Sequence, residues 1–300
     1  MWPFNKSSSS STQSPIIETG LRAIDLLAPI PHGGDISVTG EMKAGTKVLA
    51  NELAYRLMNF QHDAFRVVIF LDNEFESVDV QLREMQEYFP SLQDICVTAS
   101  VSVQDIHAHL SPKSALKHDA VFAWAGSERF VQHCRQAINT ARENLDTSRS
   151  LTTFIVTEQM NVGACDAKLF STRMLAQEGI YPALDVRLSA SSGLSHSSLN
   201  ARRRHISDAV KLEVGEVLEN LYSGALGDPQ WNFTADPKKR SAVQALRFFS
   251  QPYFAAERYT GLKAAYVPIE QTIREFEAIL SGICLALPAK KLMFQNELST

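Results

Sequence analysis

Short apolar stretches that alternate with longer amphipathic ones are the feature that most constrains the fold of this 300-residue chain. The short stretches have the length and β-branched content of strands, and the longer ones space their apolar residues as helices do. Strands alternating with helices predict a parallel sheet covered on both faces, so the expected fold class is α/β. The predicted strands cover residues 35–39, 66–71, 95–99, 120–124, 151–156 and 184–188, and the predicted helices cover residues 47–60, 79–88, 128–145 and 169–178.

The pattern changes after residue 189, where a Ser/Gly segment begins. Beyond it, apolar residues recur at helical spacing and no convincing strand is visible. These helical patterns cover residues 202–226, 239–250 and 270–281. We therefore expect an α/β domain over residues 15–195 and a helical domain over residues 196–300. Residues 1–14 contain a Ser/Thr/Gln tract that predicts a disordered tail, because such side chains bury little apolar surface.

A glycine-bounded loop joins the first predicted strand to the first predicted helix. It reads Gly40-Glu41-Met42-Lys43-Ala44-Gly45-Thr46-Lys47, close to the phosphate-binding pattern G-x-x-x-x-G-K-[ST]. The glycines are correctly spaced, but Thr46 and Lys47 stand where the pattern needs Lys and then Ser or Thr. Successive helical residues point about 100° apart, so Lys47 cannot lie over the β- and γ-phosphates. On the loop residues alone, a plain glycine turn before a helix is the stronger interpretation.

Several blocks on either side of the loop occur in one order between about Ile17 and Phe294. They include Ile17-Glu18-Thr19-Gly20, Ile24-Asp25-Leu26-Leu27-Ala28-Pro29, Gly179-Ile180-Tyr181-Pro182-Ala183-Leu184-Asp185, Phe248-Phe249-Ser250-Gln251-Pro252-Tyr253-Phe254 and Glu257-Arg258-Tyr259-Thr260-Gly261. Together they resemble the rotary (F-type) ATP synthase alpha/beta subunit family, most closely its catalytic beta subunit. The resemblance implies a RecA-like P-loop NTPase domain followed by a C-terminal helical bundle. The family's N-terminal β-barrel has no counterpart in the tail, which indicates a degenerate, barrel-less paralogue.

The resemblance also implies that the catalytic positions are degenerate. The phosphate-loop lysine falls on Thr46 and the magnesium-binding hydroxyl on Lys47. The catalytic glutamate falls on Asn73 in an ungapped alignment, while a one-residue slip would restore Glu74. Alanine stands at the magnesium-shell aspartate within residues 121–126, and serines and alanine replace the arginine over residues 189–192. Phosphoryl transfer depends on positioning and charge stabilisation, so we expect no useful ATPase turnover.

The base-binding positions differ from the catalytic ones, because the resemblance places aromatic residues at all three. Tyr181, Tyr253 and Tyr259 would sandwich an adenine, although ordinary packing of large rings explains them equally well. Stacking of one base gives about 1–3 kcal/mol, and a millimolar complex needs about 4 kcal/mol. Backbone N–H groups between Gly40 and Gly45, with Lys43 or Lys47, could supply the remainder. We therefore expect no required cofactor and no metal site, with adenine nucleotide bound weakly and without Mg²⁺ if it binds.

Where the family carries an acidic lever, residues 227–237 form a Pro-containing loop with Trp231 and Phe233. Unless these rings fold back onto the helices, they mark a partner site. The formal charge of −4 gives no sign of a nucleic-acid partner, and no apolar run approaches the length of a membrane span. We expect a cytoplasmic protein, or one held at the periphery of the inner membrane by a partner complex.

Three histidines, His107, His109 and His118, lie within twelve residues of one another. They could be imagined as metal ligands, but acidic or Cys partners at ligand spacing are missing. Surface histidines near a strand end are the simpler interpretation.

Two hypotheses of function remain. The first is a non-catalytic ATP synthase beta-like pseudo-subunit that acts as a structural or regulatory partner of a rotary-ATPase-type ring. The alternative is a residual nucleotide-dependent ATPase that uses Lys43 or Lys47 with Glu74 in a rearranged phosphate loop. The missing lysine, hydroxyl and carboxylate favour the pseudo-subunit, so we lean against an enzyme.

Overall fold

The chain is described here from a computed structural model. The structure describes residues 16–60, 65–72, 80, 83, 87, 96–98, 118–145, 149–158, 163–196, 199–222 and 236–298. Predictions that involve Asn73, Glu74, His107, His109, Trp231 and Phe233 therefore lie outside the described residues.

A seven-stranded sheet forms the centre of the fold, in the order β5-β4-β6-β7-β3-β8-β9. Its strands are β3 (Asp35–Gly40), β4 (Phe65–Leu71), β5 (Cys96–Thr98), β6 (His118–Trp124), β7 (Ser150–Thr157), β8 (Ala167–Ser171) and β9 (Ala190–Ser191). All pairs are parallel except that of β9 with β8. A separate antiparallel pair joins β1 (Ile16–Ile17) to β2 (Ile30–Pro31). The expected parallel α/β sheet is therefore present.

The described helices are α1 (Arg22–Leu27), α2 (Thr46–Phe60), α3 (Glu128–Glu143), α4 (Arg173–Gln177), α5 (Ala201–Tyr222), α6 (Pro237–Phe248), α7 (Glu257–Thr260) and α8 (Ile269–Leu280). Val80, Arg83 and Glu87 are also helical, within the predicted helix at 79–88. Local signals explain two of the helix starts. Ser127 accepts a hydrogen bond from Phe130 N before α3, and Asp236 caps α6 just ahead of Pro237.

The prediction of a helix over residues 169–178 was wrong in its first part. Leu169 and Phe170 lie in β8 beside β3, and α4 covers only the second part of the predicted range. A short apolar run can be a buried strand or a helix, and here the open edge of β3 decides for the strand.

The prediction of a strand over residues 184–188 was also wrong. Leu184 makes one isolated bridge to Ser171. The Asp185 carboxylate then accepts from Arg187 N at 2.8 Å, and Leu188 N donates to the Asp185 carbonyl. Aspartate competes with extended structure in this way, so the chain turns. The only strand after residue 189 in the described part of the chain is the two-residue β9.

Apolar side chains fill both faces of the sheet. One cluster lies between α3 and the sheet and includes Phe70, Val121 and Ile155. The other is larger and continues from β1, α1 and α2 to α5, α6 and α8, so that Ile17 and Phe276 share one core. The predicted domain boundary near residue 195 falls in a 3₁₀ turn, Ser192–Ser195, and stays a prediction.

Buried arginines join the later helices to the earlier elements. Arg22 is fully buried and pairs with Glu275 at 3.3 Å, while its other nitrogens donate to the carbonyls of Gln295 and Asn296 at 2.7 Å. Arg247 bonds both the carboxylate and the carbonyl of Glu178. Because each guanidinium satisfies carbonyls distant in sequence, these contacts fix how α6 and α8 lie against the rest of the chain.

No helix in the described ranges is both long enough and apolar enough to cross a bilayer.

Candidate functional site

The glycine loop leaves β3 at Gly40 and enters α2 at Thr46, as expected. Gly45 has φ = +83° and Lys43 has φ = +66°, both in the left-handed region. Glycine adopts that region without strain, whereas a lysine does so at some energetic cost, so the loop has a tightly defined shape. Met42 is 67% exposed beside Lys43, which places the tip of the loop in solvent.

Gly40 and Thr46 pack closely at the base of the loop. A Cβ on Gly40 would stand 2.9 Å from Thr46 Oγ1 and 2.9 Å from Ser171 Cβ, closer than real contacts allow. Gly40 is therefore required for packing. Thr46 is 5% exposed, and its buried hydroxyl has no hydrogen-bond partner within the described structure. The residue at the lysine position is thus folded inward at the start of α2, and its short side chain cannot extend over the loop.

The two nearby lysines lie at different depths. Lys47 is half-buried in the first turn of α2, one residue after the position that the phosphate-binding pattern requires, and Lys43 is exposed. Two loop amides are used inside the protein, because Glu41 N donates to Ser171 O at 2.9 Å and Ala44 N to Glu41 O at 3.0 Å. The remaining loop could bind one anion at a helix N-terminus, without the metal-binding hydroxyl of a magnesium-nucleotide site.

A buried carboxylate stands at the same edge of the sheet, where β4 ends. Asp72 is 2% exposed, and its Oδ2 accepts from Gly126 N at 2.9 Å, Ser127 N at 3.0 Å and Ser127 Oγ at 3.1 Å. Ser127 is also the N-cap of α3, so Asp72 neutralises a helix N-terminus. Asp72 was not predicted from the sequence to be a functional or structural site residue. An acidic residue directly after a buried parallel strand is a signal that could have identified it.

Alanine follows the neighbouring strand, at the position that the resemblance gives to a magnesium-shell acid. Ala125 follows β6 directly and is 1% exposed, and Ala125 N donates to Val156 O. After the predicted closing segment, Ser189 and Ser191 are buried. The Ser189 hydroxyl accepts from Phe170 N, and the Ser191 hydroxyl donates to Pro29 O. Arg187, the nearest arginine before them, pairs with its own Asp185 at 2.8 Å and stacks on Tyr222. It is therefore already engaged within this chain.

The three tyrosines do not meet in one slot. The Tyr181 and Tyr253 ring centroids are 6.5 Å apart with the planes at 74°, and Tyr253 is 6% exposed. A base would need two nearly parallel faces, and these rings meet edge to face. Tyr259 is 60% exposed, and its hydroxyl donates to Glu87 at 2.8 Å. Tyr181 does lie beside the loop, because a Cβ on Gly45 would stand 3.4 Å from its ring.

His118 does not lie on the surface, so that interpretation was wrong for this residue. It begins β6, is 2% exposed and hydrogen-bonds Ser150. Burial follows because its side of the strand faces the larger core, with Ala120 and Phe122. Within the described ranges, no group of three or more His, Cys, Asp or Glu side chains is placed to hold a metal ion.

The mostly parallel sheet with its flanking helices is consistent with an α/β nucleotide-binding fold. No protein-family model matches the chain. ATP synthase subunit beta of Coprothermobacter proteolyticus is 26% identical over 343 aligned positions, which cover 95% of this chain and 73% of that protein. This distant similarity over most of the chain supports a relationship to the F-type ATP synthase alpha/beta family.

Proposed function

We propose that the chain is a non-catalytic, ATP synthase beta-like pseudo-subunit that has a structural or regulatory place in a rotary-ATPase-type ring. The observation that carries this proposal is Thr46, which stands at the lysine position and is folded inward at 5% exposure. A P-loop lysine stabilises the charge of the β- and γ-phosphates, and a buried threonine has neither the reach nor the charge to do so.

Two further features support the absence of catalysis. The Oδ2 atom of Asp72 already accepts from three donors at the start of α3, so the carboxylate has a role in the fold. The edge-to-face contact of Tyr181 with Tyr253 leaves no parallel slot for a base. Nucleotide binding, where it occurs, is therefore weak and independent of Mg²⁺, and no cofactor is required.

The kind of partner is inferred from the similar protein, ATP synthase subunit beta, whose name is that of one subunit of an assembly. A chain built like such a subunit has surfaces suited to neighbours of the same fold. We propose that it assembles with ATP synthase-type subunits and is a monomer or small oligomer alone. Trp231 and Phe233 are proposed to contribute to that contact.

Two experiments test the proposed absence of catalysis: an ATP hydrolysis assay, and a variant that restores the phosphate-binding pattern. The wild type should hydrolyse millimolar Mg-ATP no faster than buffer does. The double variant Thr46→Lys/Lys47→Thr restores the phosphate-binding pattern, and we expect about tenfold or tighter Mg-dependent ATP binding, since one charge-assisted contact contributes about 1.5–3 kcal/mol. Lys239→Ala, which alters an exposed lysine of α6, is the matched control and should leave Mg²⁺ dependence unchanged. Wild-type turnover that is lost in Lys47→Ala or Glu74→Gln would establish the residual ATPase instead.

Assembly is tested separately by light scattering and co-purification from the native host. Alone, the protein should scatter as a monomer or small oligomer, and ATP synthase-type subunits should co-purify with the tagged chain. Trp231→Ser/Phe233→Ser should weaken that recovery, with Leu212→Ser, an exposed apolar residue on α5, as control. A stable homohexamer without nucleotide would contradict the proposal.

A further inference from the structure

A hydroxyl joins two imidazoles at the amino edge of the sheet, opposite the glycine loop. Ser150 Oγ lies 2.9 Å from His32 Nδ1 and 2.9 Å from His118 Nδ1. The two imidazole centroids are 4.5 Å apart at 84°, and the Phe65 ring lies 5.3 Å from His32 and 5.5 Å from His118. The proposed function uses none of these side chains.

The cluster connects a turn to three strands. His118 and Ser150 begin β6 and β7 and face each other in register, and Phe65 begins β4. His32 lies in the turn between β2 and β3, where Gly34 N donates to Pro31 O at 3.1 Å. His32 is therefore the member of the cluster that can move without disturbing the sheet.

Two proton arrangements satisfy both contacts, because a serine hydroxyl has one O–H and two acceptor lone pairs and a neutral imidazole has one N–H. Ser150 Oγ either accepts from both imidazoles, or accepts from one and donates to the other. The second arrangement, with His118 Nδ1–H as the donor and His32 Nδ1 as the acceptor, gives the Ser150 O–H a partner within the cluster. An added proton on His32 Nδ1 then turns it into a second donor, so Ser150 O–H loses its acceptor at a cost of about 1–3 kcal/mol. Acid therefore disrupts the arrangement.

Charged groups on the strands of the cluster are paired with one another. Strand alternation places Arg66, Asp119 and Arg149 on the opposite face of the sheet, where both arginines pair with Asp119 at 2.7 and 3.3 Å.

From α3, Arg142 bonds the carbonyls of Gly33 and Gly34 and pairs with Asp35 at 2.7 Å. Arg142 and Asp35 therefore form one ion pair beside the turn that holds His32, and the Asp166 carboxylate, which accepts from Asp35 N at 2.8 Å, is a second acidic group there. Burial, followed by the charge of His118, lowers the pKa of His32 to about 4.

We propose that His32, Ser150 and His118 form an acid-sensitive latch that holds the turn between β2 and β3 against the sheet. The latch is closed while both imidazoles are neutral, and it opens when His32 gains a proton and its ring leaves Ser150. The proposal does not depend on the function proposed above, because it concerns the opposite edge of the sheet.

Amide hydrogen exchange at Gly34 and histidine C2–H NMR titration test the latch. Protection of Gly34 should fall by about tenfold or more on acidification, as His32 titrates, while the core amide of Phe122 stays protected. His32→Gln, which keeps a neutral hydrogen-bonding side chain, should lose this response. His205→Gln, which changes an exposed histidine of α5, should retain it. Ser150→Ala should lower the protection of the Gly34 amide at neutral pH. It should also raise the pKa of His32, because the neutral imidazole loses a hydrogen bond.

Either of two results would overturn the latch. In the first, His32 titrates with the same midpoint as the exposed His205. In the second, exchange at Gly34 is the same in Ser150→Ala as in wild type at neutral pH, and His32 is then only a buried histidine. The Ser150→Ala comparison is decisive even where acid unfolds the whole chain.

Discussion

The carboxylate of Asp72 and the backbone N–H of Gly126 are joined by a 2.9 Å hydrogen bond across the ends of β4 and β6. Two donors of Ser127 complete the contact and make Asp72 part of the α3 N-terminus. In an α/β sheet, this edge is where ligands usually bind. Here its buried acid serves the fold.

Replacing Asp72 should therefore affect stability. Asp72→Ala leaves three donors without their acceptor, and we expect the free energy of unfolding to fall by about 1.5–3 kcal/mol, the range for hydrogen bonds to a charged group. Urea denaturation measures it. Glu143→Ala, at an exposed acid near the end of α3, is the control and should change stability by less than about 0.5 kcal/mol. A comparably small effect of Asp72→Ala would mean that the carboxylate contributes little.

Variants of Tyr181 and Tyr259 should show which of the two rings contributes to nucleotide binding. Any adenine nucleotide bound at the glycine loop would meet Tyr181 first, because this ring lies beside Gly45. Tyr181→Ala should weaken binding by the equivalent of about 1–3 kcal/mol, the contribution of one stacked base. Tyr259→Ala, at a ring held by Glu87, should have little effect. Calorimetry with and without EDTA measures both variants, and the opposite order would show that Tyr259 moves to the base.

Removing one member of the buried Arg22–Glu275 ion pair should reduce the free energy of unfolding more than removing both charges. Arg22→Met leaves Glu275 buried without its partner, which typically costs about 3–5 kcal/mol. Arg22→Met/Glu275→Gln removes both charges and should recover part of that loss. A double-mutant cycle from urea unfolding gives the coupling energy. Strictly additive losses would show that the two side chains stabilise the fold independently.

The stability of the protein should depend on pH, because Asp25 is buried and its pKa differs between the folded and unfolded states. Desolvation raises the pKa of Asp25 to about 6, in spite of hydrogen bonds from Thr19. A carboxyl whose pKa is higher when folded binds its proton more tightly in the native state, so its contribution to stability is lost as pH rises from about 4 to about 6.

The difference in unfolding free energy between wild type and Asp25→Asn should accordingly fall by about 2 kcal/mol over that range, since about 1.4 kcal/mol corresponds to one pKa unit and the two ends of the transition lie outside it. Asp208→Asn, at an exposed acid of α5, is the control. A constant difference from pH 4 to 7 would mean that Asp25 keeps an ordinary pKa.

Much of the sheet could be predicted because its strands are continuous apolar runs, as in β6, where all seven residues are buried. The glycine loop was also predictable, since Gly40 and Gly45 stand at fixed spacing between a strand and a helix. Leu169 was assigned wrongly because a short apolar run fits a strand or a helix, and its neighbours decide. Leu184 was assigned wrongly because the alternation of apolar and charged residues that it begins is typical of a strand, whereas Asp185 hydrogen-bonds Arg187 N and the chain turns. The tyrosines were identified singly, but the angle between Tyr181 and Tyr253 depends on packing from distant segments. The roles of Asp72 and His32 arise only when strand ends come together in space.

The shared core of Ile17 and Leu292 also determines how the protein can be made. Leu292 is synthesised long after Ile17, so the larger core cannot close until the later residue has been made. Until then, the nascent sheet exposes the apolar surface that α6 and α8 later cover, and such surface promotes aggregation. Shielding of the growing chain until α8 has left the ribosome should therefore raise the yield of folded protein.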